Sequence, residues 1–284
     1  MNECRYIDSI KEVVDNYDCF IIDQWGVLHD GEKPYYGAIE MLEFLKGAKK
    51  IIMVLTNSGR RSAENFQKLA DIGFDIKLFD EVLSSGEAFF LYNNTTQFSF
   101  TKGKAFHISS GENPQNNTYE GLKFTTNIEK ARWIFLSGIN FNANLTYYKK
   151  ILASANQAKL PLICVNGDYV IVNPNRQTFV GPGQLALDYQ QKGGKVYYFG
   201  KPHAYVYELC QQRLPSSISK SRTLCIGDSL EHDIKGANDN NYDSLLIGEG
   251  IFFHQFNQQN PAQIMPKLTN KYKVFPNLYC FSFG

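Results

Sequence analysis

The 284-residue chain is 43% hydrophobic and 20% charged with a net charge of +1, the profile of an ordinary soluble globular protein. Lysines and arginines are scattered rather than clustered, which argues against nucleic-acid and polybasic membrane partners, and no apolar run approaches bilayer length. The six cysteines form no CxxC pair, and Glu3, Arg5, Asp8, Lys11 and Glu12 stand where a signal peptide would be apolar, so reduced thiols and a cytoplasmic location are expected.

In chain order, the spacing of Ile7, Ile10, Val13 and Val14 predicts a helix over 7–14. Cys19 to Ile22 reads as a buried strand, Ala38 to Leu45 as an amphipathic helix, 51–55 as a second buried strand, and Ser62 to Gly73 as a second helix. This alternation implies a parallel sheet covered on both faces, an α/β fold. From Asn93 to Thr126 the chain is rich in Asn, Thr, Ser and Gly, broken by Ala105 to Ile108. Trp133 to Leu136, a helix-like stretch from Thr146 to Ala158 and a strand at Leu162 to Val165 then supply enough for an independent α/β unit. A helix over 184–191 and a strand over 196–199 read as the resumed core. The expected organisation is a discontinuous core, 1–82 and 184–284, with an inserted cap at 83–183. The polar stretch around Gln255, Gln258, Gln259, Pro261 and Pro266 carries no assignable role.

The chemistry sits where apolar runs end. Asp23 follows Cys19-Phe20-Ile21-Ile22, and Asp228 follows Leu224-Cys225-Ile226-Gly227, with Asp233 just beyond. Carboxylates past buried parallel strands lie at the sheet's carboxyl edge, where open α/β folds bind ligands. Two that converge there suit Mg²⁺, which takes one or two carboxylates and completes its shell with water and substrate phosphate. Thr56-Asn57 follows the strand at 51–55, and Gly200-Lys201-Pro202-His203 follows the run Val196 to Phe199.

This ordered set, Asp23, Thr56, Lys201, then Asp228 with Asp233, resembles the four motifs of the haloacid dehalogenase superfamily. Val27-Leu28-His29-Asp30-Gly31, Leu55-Thr56-Asn57, Gly200-Lys201-Pro202 and Gly227-Asp228-Ser229-Leu230-Glu231-His232-Asp233-Ile234 look most like its class IIA branch, the NagD-like and 4-nitrophenyl-phosphatase-like proteins. The resemblance implies a Rossmann-like parallel-sheet core with a C2-type α/β cap inserted between the Thr and Lys motifs. It also implies a Mg²⁺-dependent phosphatase of small phosphorylated metabolites, working through an aspartyl-phosphate intermediate, and a homodimer formed through the cap.

Carried onto this chain, the resemblance makes Asp23 the nucleophile and a metal ligand, Asp228 the second ligand, and Asp233 a partner that orients Asp228 or a bound water. The backbone carbonyl of Trp25 would also bind the metal. Thr56, with Asn57 beside it, would hold the phosphate, and Lys201 would offset the carboxylate and phosphoryl charge. In the cap, Asn166 and Asp168 occupy a turn that in relatives lies near the substrate, although Asn-Gly-Asp is equally an ordinary turn sequence. The departure is Trp25. Relatives carry there an Asp that serves as general acid and base, and an indole cannot exchange protons. His29, His203 and His232 are candidate substitutes. The alternative reading is a non-catalytic or weakly active protein that binds phosphorylated metabolites on the same fold. A third is another Asp-nucleophile reaction, such as dehalogenation or phosphoryl transfer.

Overall fold

The computed structural model describes residues 4–96, 98–111, 119–142 and 144–284. With strands numbered along the chain, a seven-stranded sheet has the order β1 (Arg5–Tyr6), β14 (Leu278–Cys280), β13 (Asp243–Ile247), β12 (Thr223–Gly227), β2 (Cys19–Ile22), β3 (Ile51–Thr56) and β4 (Glu81–Ser84). Every neighbouring pair is parallel. Its strands are buried on both faces: Phe20, Ile22, Val54 and Ile226 enter one apolar cluster, and Cys19, Ile21, Met53 and Cys225 the other. That two-sided burial is why they read as continuous apolar runs. The chain leaves β2 for β3 and β4 on one side, then returns to β12 on the other. The reversal between β2 and β12 opens a crevice beyond their C-terminal ends, the position where ligands settle in open parallel sheets.

A second, five-stranded parallel sheet has the order β11 (Val196–Tyr198), β8 (Leu162–Cys164), β7 (Trp133–Leu136), β5 (Ala105–Ile108) and β6 (Phe124–Thr125). An antiparallel hairpin, β9 (Val170–Val172) with β10 (Thr178–Val180), projects from it. Two expectations change here. The strand at 196–199 was expected to reopen the core at 184, but β11 pairs with β8 of the second sheet. The helix before it, α5 (Pro182–Gln191), packs Leu185, Ala186 and Tyr189 into the same cluster as Leu162 and Cys164. The second sheet therefore extends to Tyr198. Apolar content alone cannot say which of two sheets a strand joins. The region 7–14 forms two 3₁₀ turns, Ile10–Glu12 and Val14–Asn16, instead of an α-helix. Ser9 and Glu12 close a capping box over so short a segment that a continuing α-helix gains little, while Ile7, Ile10, Val13 and Val14 are still buried.

The unassigned C-terminal region packs as well. Helix α9 (Pro261–Tyr272) buries Ile264, Met265 and Leu268, and β14 lies between β13 and β1. All six cysteines are unpaired. No helix among the described residues is long and apolar enough to cross a membrane.

The two sheets meet across an aromatic seam. Phe89 of α3 (Ser85–Thr95) is 1% exposed and faces Trp133, Phe135 and Phe199 at ring distances of 6.4, 5.2 and 5.3 Å. His107 stacks on Phe124 at 5.0 Å, and burial pushes its imidazole down to about 4. Phe89→Ala is expected to lower the unfolding free energy by about 3–5 kcal/mol, read by chemical denaturation. A neutral buried histidine contributes stability above the unfolded-state pKa of about 6.5, and that contribution is lost as pH falls towards 4, because only the unfolded chain takes up the proton. Measured from pH 7 to 4, the unfolding free energy of His107→Gln should therefore fall less, or rise more, than that of the wild type, by about one proton of slope.

Candidate active site

Both sheets point their C-terminal edges at one cavity of about 550 Å³, a size typical of small-molecule sites. From the seven-stranded sheet, β2 delivers Asp23, β3 ends at Thr56 and β12 delivers Asp228. From the five-stranded sheet, β8 delivers Asn166 and Asp168, and β11 delivers Lys201.

Asp23, Asp228 and Asp233 are buried, with carboxylate oxygens within 4.8 Å of one another. Asp23 starts where β2 ends; its N–H still donates to Ile226 O at 2.8 Å, which fixes it beside β12. Asp233 lies in a π-helical turn, Leu230–Ile234, whose first cap is Ser229. The turn swings the carboxylate back, so that its Oδ2 accepts from Ser229 N at 3.0 Å. The nearby cation is Lys201, 4% exposed, whose Nζ donates to Asp23 Oδ1 at 2.5 Å and Asp233 Oδ1 at 2.6 Å. Burial works against the ammonium, but Asp23 and Asp233 outweigh it and hold Lys201 above its ordinary range. On the carboxylates burial acts the other way. With Asp233 it outweighs Lys201 and lifts Asp23 to about 7, and with Asp23 and Asp233 it raises Asp228 well above the usual carboxylate range. Three carboxylates around one ammonium attract a further cation or retain protons.

The hydrogen bonds sort the three acids. Both oxygens of Asp233 are engaged, whereas Asp23 is bonded through Oδ1 and Asp228 through Oδ2, which accepts from Ile251 N at 3.0 Å. Asp23 and Asp228 each keep an oxygen outside these bonds. All-oxygen, buried and clustered, this donor set fits a hard divalent cation.

Asn57 ties the two sheets together. Its Oδ1 accepts from Lys201 N at 2.7 Å and from Ser85 Oγ at 3.2 Å; its Nδ2 donates to Lys201 O at 3.1 Å and to Asp168 Oδ1 at 2.8 Å. One amide thus fixes the lysine loop and a cap carboxylate together. Thr56 Oγ1 accepts from Ser58 N at 3.2 Å. Since Arg61 and Ser84 stand at the N-caps of α2 (Ser62–Ile72) and α3, Thr56 closes a turn at the cavity wall instead of capping a helix. Asn166 Oδ1 accepts from Asp168 N at 3.4 Å, the turn geometry that the Asn-Gly-Asp sequence allows.

Trp25 is 38% exposed and lines the cavity, but its indole is not loose filler. Nε1 donates to Val172 O of the hairpin at 2.8 Å, and the ring lies between His29 and Phe141 at 5.7 and 6.3 Å. The three candidate histidines are elsewhere, outside the cavity lining. His29 is fully buried, accepts from Gly31 N at 2.9 Å, and is pushed down to about 4 by burial. His232 Nε2 accepts from Tyr169 N at 3.1 Å, and His203 stacks on Tyr198 at 5.1 Å. Burial lowers both. Ser109, Ser137, Phe141 and the hairpin residues Val170 and Val172 also line the cavity and were not singled out in the sequence. The hairpin had a readable signal, Val170-Ile171-Val172 and Thr178-Phe179-Val180 on either side of a short segment containing Asn173-Pro174-Asn175.

Residues 20–121 match the haloacid dehalogenase-like hydrolase family, and residues 198–271 a HAD-hydrolase-like family. The chain is 27% identical over 259 residues to the Caenorhabditis elegans NipSnap protein K02D10.1, an alignment covering 82% of this chain but 48% of that protein, so it spans about half of that relative's length. It is 24% identical to phosphoglycolate phosphatase 2 of Arabidopsis thaliana, covering 86% of each. The crystal structure of a haloacid dehalogenase-like hydrolase from Brucella suis superposes with a TM-score of 0.79 at 26% identity, covering 96% of this chain and 98% of that one. A 4-nitrophenylphosphatase from Thermotoga maritima shares the fold, with a TM-score of 0.68 at 20% identity, covering 96% of this chain and 97% of that one, and the two matched domains make the chain a haloacid dehalogenase-like hydrolase.

Proposed function

We propose that the chain is a Mg²⁺-dependent phosphatase of small phosphorylated metabolites with Asp23 as nucleophile. The observation that carries this reading is the buried cluster of Asp23, Asp228 and Asp233 around Lys201 at the floor of the cavity. Asp23 and Asp228, helped by the Trp25 carbonyl and flanked by Asp233, would hold the Mg²⁺, which when bound neutralises the repulsion between an anionic nucleophile and an anionic phosphate. An oxygen of Asp23 attacks phosphorus as the bond to the leaving oxygen breaks; water then attacks the aspartyl phosphate and returns Asp23 as a carboxylate. The Thr56 hydroxyl, with Asn57 beside it, binds phosphate oxygens, and Lys201 holds Asp23 in place while offsetting negative charge. Asn166 and Asp168 face the substrate from the cap. The named activity of the Arabidopsis relative, a phosphoglycolate phosphatase, supports a small phosphorylated substrate.

Asp23→Asn is expected to abolish hydrolysis of 4-nitrophenyl phosphate in Mg²⁺, and chelation with EDTA to do the same reversibly. Unchanged turnover in the variant would remove Asp23 from the nucleophile role.

Trp25 shapes the second expectation. With an indole at this position, with His29, His203 and His232 outside the cavity lining, and with the one histidine that does line it, His107, held neutral by burial, leaving groups that depart without a proton are favoured. General acid help is worth about 10²–10⁴ in rate, so rates should fall steeply from aryl to alkyl phosphates. Trp25→Asp, assayed at saturating Mg²⁺, should raise the alkyl rate relative to the aryl rate by at least about 10-fold. The alternative, a phospho-metabolite-binding protein with little turnover, draws on the same residue, since Trp25 is bonded to the hairpin across the mouth of the site. Tight calorimetric binding of phosphorylated metabolites without product would select it.

A further inference from the structure

The β9–β10 hairpin forms part of the cavity wall, and its turn reaches across to the core. There Arg176 makes five contacts. Its Nη2 lies 2.9 Å from Glu249 Oε1, and its Nη1 donates to the Glu249 carbonyl. The guanidinium lies over the rings of Tyr35 and Phe253 at 4.5 and 4.4 Å, and the Arg176 carbonyl is 3.2 Å from His254 Nε2. Arg176 and Glu249 are largely buried, with side chains 20% and 12% exposed.

None of these contacts is to the carboxylate cluster, but the next residues along the chain do touch it. Gly250 passes so close to Asp228 that a Cβ there would fall 2.0 Å from Oδ2, and Ile251 N donates to that same oxygen at 3.0 Å. The loop after β13 is therefore clamped between an arginine of the inserted unit and a carboxylate of the core. Glu249 is held by both its backbone and its side chain, so it cannot shift without carrying the Ile251 N–H with it.

We propose that Arg176 is a positioning residue: through Glu249, Gly250 and Ile251 it fixes the Asp228 carboxylate, so that docking of the cap hairpin and orientation of the cation-binding acid are one event. This rests on reading Asp228 as a cation ligand. Arginine suits the task because its planar fork bonds a carbonyl and a carboxylate at once while its face stacks on aromatic rings, which a lysine cannot reproduce.

Simpler roles predict different results. If Arg176 acted only by its charge, removing a cation near an acidic cluster would tighten Mg²⁺ binding. If it only packed, the variant would lose stability with no change in Mg²⁺ affinity. As a positioning residue its loss weakens Mg²⁺ binding, and outer partners of this kind are typically worth about 10–100-fold in affinity.

The experiment is a calorimetric titration of the full chain with MgCl₂, for wild type, Arg176→Met and Arg176→Lys, alongside amide hydrogen exchange. Arg176→Met should raise the Mg²⁺ Kd by about 10-fold or more, with Arg176→Lys between the two. The Ile251 amide should exchange faster while those of β2 and β3 are unchanged. A wild-type or lower Kd in a folded Arg176→Met protein overturns the proposal, as does unchanged exchange at Ile251. Should Arg176→Met not fold, Glu249→Gln keeps the backbone bond and removes the charged partner, with the same changes expected at smaller size; no change there is equally fatal. Absence of Mg²⁺ binding by the wild type would sink the cation reading of Asp228, and the exchange rate at Ile251 would still decide the clamp.

Discussion

Three carboxylates and one ammonium share a small buried volume at the end of β2 and β12, and much of the molecule serves to make that tolerable. Burying a charge is costly unless it is paired and bonded. The chain meets this with Lys201 between Asp23 and Asp233, with backbone N–H groups of Ser229 and Ile251 on Asp233 and Asp228, and with two strands that end side by side. The result is stability bound up with cation or proton occupancy. Raised carboxyl pKa values at Asp23 and Asp228 express that unmet demand for positive charge.

Much of this was legible in the sequence because it is written in strand ends. Apolar runs closed by Asp23, Thr56 and Asp228 signal buried parallel strands with chemistry at their carboxyl edge, and the motifs taken in that order resemble those of the family. What the sequence hid was membership. Val196 to Tyr198 is as apolar as a core strand, yet it pairs with Leu162 to Cys164 in the other sheet, a choice made by tertiary contacts. The Asn57 amide likewise gave no sign that it would bridge the lysine loop and Asp168. At 7–14 the burial pattern was right and the helix wrong, because a burial pattern constrains which side chains point inward more tightly than it constrains the turn type beneath them.

Trp25 serves two surroundings at once. The position faces the cavity, so a side chain there touches chemistry, and it also faces the hairpin, so a side chain there can set the packing of the insertion. Its indole cannot exchange protons, but its N–H reaches Val172 O. His29, buried beneath it, keeps an Nε2 without a hydrogen-bond partner among the described residues, tolerable for a neutral ring packed on Trp25 and Phe74.

The origin of Lys201 constrains how the molecule can open. This lysine arrives on a strand of the inserted sheet, and its loop is held by Asn57 of the other sheet. A rigid swing of the whole insertion would pull the ammonium from two buried carboxylates and strip the aromatic seam around Phe89 in the same stroke. Those contacts would be lost together. The hairpin has anchors of its own: the Trp25 indole N–H on Val172 O, Arg176 on Glu249, Tyr35 and Phe253, and His254 against the Arg176 carbonyl. The hairpin, with strands of three residues each, is therefore the part of the cavity wall whose contacts are separate from both Lys201 and the Phe89 seam.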